Sequence, residues 1–204
     1  MRLREGRAEP IGEIFQFLSG LYFRGKLAYA RAFAAPPPEL PSGVFVITTG
    51  AGLVEAGTAV TADAIRGFAG IDISASNAAY RQPLERTARS LFEESGGEMD
   101  VVLLGSIASG KYVDVLGPIF GERLVFPPAF VGRGDMSRGG LMLRAARSGE
   151  ELEYVPVAGA VRHGGRPPKL DPLTRVPFSP PAGKQAVKKP AKTARIRKTS
   201  KRSR

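Results

Sequence analysis

The chain has 204 residues, with 30 Lys/Arg against 19 Asp/Glu for a net charge of +11, no cysteine and one histidine, His163. Without cysteine there can be no disulfide, thiolate metal ligand or cysteine nucleophile, and one histidine excludes a multi-histidine zinc site. A 43% hydrophobic content suits one folded domain, while 25 Gly and 17 Pro predict short, often interrupted elements.

The charge is unevenly placed. From Lys184 to Arg204 there are 10 basic residues and no acidic one, so residues 1–183 carry 20 basic against 19 acidic, or +1. A near-neutral body argues against a globally basic nucleic-acid surface. The charged start, Met1 to Arg7, is not followed by an apolar run of signal-peptide type. No segment approaches the roughly 20 apolar residues that span a bilayer. A cytoplasmic protein without a membrane partner is expected.

In chain order, apolar residues at Ile11, Ile14, Phe15, Leu18, Leu21, Tyr22, Leu27, Ala30 and Phe33 have helical spacing, with Gly20 and Gly25 as interruptions. The prolines of 35–41 end this region and lead to Val44–Thr49, a β-branched run of the kind buried in a parallel sheet. Thr61 to Phe68 reads as a capped short helix and Ile71–Ile73 as a minor strand. Tyr80–Glu94 has one apolar face, with Pro83 in its first turn. Asp100–Leu104 is a strand, Lys111–Phe120 a helix and Arg123–Phe126 a further strand. Gly132–Gly140 reads as a polar loop, 141–147 as a helix, and Tyr154–Val157 as an extended segment that Pro156 keeps at an edge.

Strands alternating with helices predict an α/β fold, a small three-layer open sheet that is mostly parallel. The expected division is a single domain over 1–165, a Pro-rich extended arm over 166–183 and a disordered Lys/Arg-rich tail over 184–204.

Gly105-Ser-Ile-Ala-Ser-Gly-Lys111 fits the first seven positions of the phosphate-binding pattern G-x-x-x-x-G-K, between a predicted strand and helix. Glycines let backbone N–H groups face phosphate oxygens, the helix N-terminus adds a favourable dipole, and Lys111 supplies a point charge. Tyr112 stands where the pattern needs a Mg²⁺-binding hydroxyl, and no later strand ends in the acidic residue that completes such a site. The loop therefore points to a non-hydrolytic phosphate, nucleotide or nucleobase site, with Gly105, Ser106, Ser109, Gly110 and Lys111 as contacts. The competing expectation is a plain strand-to-helix turn capped by Ser109.

In Gly132–Gly140, Arg133 and Arg138 have the fork geometry to grip a carboxylate or phosphate, and Asp135, the candidate catalytic residue, would orient a hydroxyl or act as a base. Ser137 as a helix N-cap and an Arg–Asp brace are the structural alternatives. Thr48 and Thr49 end the first strand beside Gly50 and Gly52 and offer hydroxyls. Three glycine-rich loops after three strands would converge at one sheet edge, as in open α/β sheets. Leu21–Ala30 mixes aromatics with Arg24 and Lys26, which fits nucleic-acid stacking but fits amphipathic packing better.

The segments Leu103–Asp114 and Gly121–Gly140 resemble an uncharacterised bacterial protein family over roughly residues 15–165. That resemblance implies a folded unit and assigns no functional residue. The composition of the tail resembles the C-terminal tails of linker histones. Its Lys184, Lys188, Lys189, Lys192, Arg195, Arg197, Lys198, Lys201, Arg202 and Arg204 would bind DNA or RNA phosphates by counterion release.

Two functions are expected from these features. The first is a domain that binds a phosphorylated small molecule, its reaction and cofactor unspecified and no metal site evident, with a polyanion-binding tail. The alternative is a non-enzymatic nucleic-acid-associated protein whose domain is an interaction module.

Overall fold

A computed structural model of the protein describes residues 6–170. The tail cations and most of the Pro-rich arm lie outside the described residues. The elements run β1 (Glu9–Pro10), α1 (Ile11–Leu18), α2 (Gly20–Phe33), β2 (Phe45–Thr48), β3 (Gly52–Glu55), β4 (Ala59–Val60) and α3 (Ala62–Ala69). They continue with α4 (Ala78–Glu94), β5 (Val101–Val102), α5 (Gly110–Phe120), β6 (Leu124–Phe126), α6 (Asp135–Ser148) and β7 (Val155–Pro156).

The fold is mixed α/β, but the expected single, mostly parallel sheet is replaced by three small ones. β1 pairs antiparallel with β4, and β2 pairs antiparallel with β3 in register Phe45↔Glu55 to Thr48↔Gly52. Among the described residues parallel pairing is confined to β5 and β6, with β7 antiparallel on the far side of β6.

The cause lies in the chain after β2. Thr48 Oγ1 donates to Gly52 O at 2.9 Å and accepts from Ala51 N at 3.0 Å, which closes a tight hairpin. β2 then finds its partner next to it in sequence, and no crossover helix is needed. Gly52 has φ +70° and lies against the Pro83 carbonyl and the Thr87 hydroxyl of α4. Thr87 Oγ1 also accepts from Leu53 N at 2.8 Å, fastening the hairpin to that helix. The glycine is required by backbone approach within the fold.

Three further expectations are corrected. Ile71–Ile73 forms no strand. The polar loop is shorter than expected, because α6 begins at Asp135 with Gly134, not Ser137, at its N-cap. Gly25 does not interrupt α2; the break falls at Ser19–Gly20, where Gly20 has φ +62°. Thr61 does cap α3, accepting from Ala64 N at 3.4 Å, and Pro156 does lie on an edge strand.

Gly25 serves packing. A Cβ built on it would fall 2.8 Å from the Gly139 Cα, and one built on Gly139 would fall 2.8 Å from the Tyr22 Cα. α2 and α6 therefore cross backbone to backbone, which only glycine on both sides permits. Gly67 is the opposite case: helical, exposed and with nothing within 4 Å of a built Cβ. Gly67→Ala should stabilise the protein by about 0.5–1 kcal/mol in urea denaturation, since it lowers unfolded-chain entropy without a clash.

Burial is divided among three clusters. The largest joins Tyr80, Leu84 and Leu91 of α4 to Leu116 and Phe120 of α5 and to Leu124 of β6. A second holds Ile11, Leu27, Val46 and Ala56, and a third Tyr29, Phe130, Met142 and Ala145. α2 contributes to both of the smaller clusters, through Leu27 on one side and Tyr29 on the other.

Candidate functional site

Tyr22 and Lys26 lie four residues apart on α2 and so share a face. The Lys26 Nζ sits 4.1 Å from the Tyr22 ring centroid, in cation–π range. The Tyr22 hydroxyl reaches the Leu104 carbonyl at 3.4 Å, immediately before the glycine loop, and interacts with the Arg138 guanidinium. Arg138, in the first turns of α6, is only 12% exposed; its Nε donates to Phe130 O at 3.1 Å and its Nη1 lies 3.7 Å from Asp135 Oδ1. Lys111 is the second residue of α5, with Nζ 5.0 Å from the Tyr112 ring and a carbonyl that accepts from Tyr80 Oη at 2.9 Å.

Three helices thus bring Lys26, Lys111 and Arg138 into one electrostatic neighbourhood. Burial pushes the Lys26 ammonium down to about 8; the Asp135 carboxylate opposes the shift, and the charges of Lys111 and Arg138 add to it. Burial also raises the Tyr22 phenol, against the pull of Arg138. Three cations against Asp135, with Asp114 beside Gly110 as a second carboxylate, leave the cluster net positive, the condition under which an anion is bound.

A lysine depressed in the fold binds fewer protons there than in the unfolded chain, whose value is near 10.4. Stability should therefore rise with pH from about 8 toward 10.5, and the burial penalty should be felt in full below 8. Denaturation midpoints for the protein and for Lys26→Gln test this; the rise must be smaller in the variant.

Beside the cluster lies a cavity of about 1060 Å³. It touches members of all three core clusters, among them Leu103, Leu27, Phe68 and Phe33, so it is the gap where they fail to merge. It opens to solvent, so water or a guest can enter it. Tyr22, Lys26, Leu104, Gly105 and Tyr112 line it, which ties it to the cationic cluster.

The glycine loop forms part of this region. Gly105 is buried beside Leu103 and Tyr112, and Ile107 anchors the loop's middle in the core. Ser106 Oγ accepts from Ala108 N at 3.3 Å, while Ser109 is exposed and makes no capping hydrogen bond. The Asp114 carboxylate folds over the Cα of Gly110, placing negative charge at the helix end where the sequence pattern would seat a phosphate. Lys111, not the glycine backbone, is the loop's contribution to the cationic neighbourhood.

The remaining candidates are dispersed. Thr48 is buried with its hydroxyl committed to the hairpin, and Thr49 donates to Phe68 O at 2.6 Å. Arg133 bonds Ala129 O, Ser137 Oγ and Pro168 O, bracing α6 against the arm. Asp135 is exposed beside Arg138 and within the field of Lys26. Among the described residues no cluster of three or more His, Asp or Glu is placed to hold a metal ion.

Compared with known protein families, curated proteins and solved structures, the chain matches none. The site therefore rests on its own geometry. Sequence reasoning named Lys111, Arg138 and Asp135 but assigned Tyr22 and Lys26 to ordinary packing. The signal that could have found them was the aromatic–lysine pair four residues apart, next to a glycine in mid-helix.

Proposed function

We propose that residues 6–170 form a binding domain for a phosphorylated small molecule whose anionic group is held by Lys26, Lys111 and Arg138. The observation that carries this reading is the convergence of those three cations, from three separate helices, beside a cavity large enough for an organic ligand. Asp135, paired with Arg138 at 3.7 Å and within the field of Lys26, orients Arg138 and is the carboxylate of the cationic cluster that would act as a base toward a bound hydroxyl. Among the described residues no helix is long and apolar enough to cross a membrane, in keeping with a domain that meets its ligand in water.

The basic segment Lys184–Arg204 would add salt-dependent, sequence-independent attraction to DNA or RNA. It would act separately from the cavity.

The test is thermal stability of the full chain against orthophosphate, nucleotides, nucleosides and free bases. A ligand at about 100 times its dissociation constant adds roughly 2.7 kcal/mol, a readily measured shift. The shift should appear for phosphorylated compounds, disappear in Lys111→Ala, and survive deletion of residues 184–204, a deletion that should remove DNA binding. A flat response to every phosphorylated compound would defeat the proposal.

A further inference from the structure

We propose that the bound molecule is an anionic amphiphile: a phosphate head at Lys26, Lys111 and Arg138, and a long hydrocarbon body filling the cavity between the three core clusters. This rests on the preceding proposal for the head and adds the identity of the body.

The lining decides against a nucleobase. A base buried there would need free donors and acceptors for its polar edge, and a site lacking them leaves that edge unpaired. The hydroxyls that touch the cavity are mostly engaged with the protein itself. Tyr29 and Tyr154 are joined at 2.6 Å, and Tyr154 donates on to Glu151 at 2.7 Å. Thr49 is spent on Phe68 O, and Ser95 on Phe92 O at 3.0 Å.

Most of what remains is aliphatic or aromatic, contributed by Phe15, Phe23, Ile47, Ile65 and Val101 among others. Hydrocarbon needs no hydrogen bonds and replaces water with dispersion contact along its whole length.

Charge gives the guest a direction. The acidic side chains that touch the cavity, Glu98, Asp100 and Glu151, are all exposed, and Asp100 is paired with Arg123. Among the described residues the single cation in the lining is Lys26, half-buried and within the electrostatic reach of Lys111 and Arg138. A molecule with one anionic end and a long apolar remainder matches both regions together: its head meets the three cations while its chain meets the apolar walls.

The experiment titrates the full chain with orthophosphate and with butyl, octyl and dodecyl phosphate, each below its micelle concentration, and with adenosine monophosphate. Affinity should rise about fourfold per methylene until the cavity is filled, and dodecyl phosphate should bind far more tightly than adenosine monophosphate. Lys26→Gln should weaken every member of the series, although the basic tail is intact. Ala69→Trp, at an exposed position on the cavity lining, should weaken dodecyl phosphate at least tenfold and leave orthophosphate unchanged.

Affinity independent of chain length, with orthophosphate still bound through Lys26, overturns the hydrocarbon body and spares the head site. Chain-length dependence that Lys26→Gln leaves untouched, together with tight binding of dodecanol, overturns the head site. Should adenosine monophosphate bind best, the amphiphile is wrong.

Discussion

Gly139→Leu should be among the most damaging single substitutions in this protein, lowering unfolding free energy by about 3–5 kcal/mol or preventing folding. Even Gly139→Ala or Gly25→Ala should cost about 2–3 kcal/mol. In an open helix the same change to alanine would help by about 1 kcal/mol. The sign reverses because a Cβ on either glycine meets backbone across the α2–α6 crossing, and backbone cannot rotate aside as a side-chain tip can. Urea denaturation followed by circular dichroism, with Gly67→Ala as the open-helix control, gives the comparison. Equal effects at Gly67 and Gly139 would mean that the helices do not cross at this point.

The crossing also has a functional consequence. Gly25 precedes Lys26 and Gly139 follows Arg138, so close approach of the two backbones brings together the helix segments that carry these two cations. A variant that separates the helices without unfolding the protein should lose anion affinity along with stability.

Lys26→Gln is expected to move stability and binding in opposite directions. The buried ammonium costs stability at neutral pH, so its removal should make the unliganded protein more stable, on the order of 1–3 kcal/mol. The same change should weaken phosphate binding by about 10–100-fold, the range for a charge-assisted hydrogen bond lost from a partly buried site. Lys111→Ala should weaken binding as well. A cation held among other cations at the expense of stability is what a ligand site requires and a structural role does not. Melting temperature and dissociation constant, measured on one preparation of each variant, separate the two effects. A Lys26→Gln variant that is less stable than the parent would point to a structural role for the lysine.

What the sequence disclosed and what it hid follow from the range of the interactions. Helix identity was legible, because periodicity and capping are local: Thr61 caps α3, and the apolar face of Tyr80, Leu84, Ala88 and Leu91 is buried as its spacing implies. The β5–α5–β6 unit was legible for the same reason. Sheet assembly was not, since pairing of Phe45–Thr48 was decided by the three-residue hairpin loop Thr49–Ala51 and by the Thr87 anchor on α4, which no window along the chain displays. Glycine misled twice. Gly52 and Gly139 were read as parts of glycine-rich loops converging on one site, whereas both make room for neighbouring backbone. Two of the site's cations stood inside glycine-containing motifs and were named for that reason. The third, Lys26, looked like an ordinary solvated lysine until α6 was folded against it.

The most direct test of the anion site is the titration of the Lys26 side-chain amine by NMR on isotopically labelled lysine, assigned with Lys26→Gln, with and without a phosphate ligand. The amine should titrate near 8 in the free protein, and bound phosphate should raise that value by a unit or more, since an adjacent anion favours the charged form. A lysine that titrates near 10.4 in the free protein, or one that phosphate leaves unmoved, would contradict the assignment of Lys26, Lys111 and Arg138 as the site.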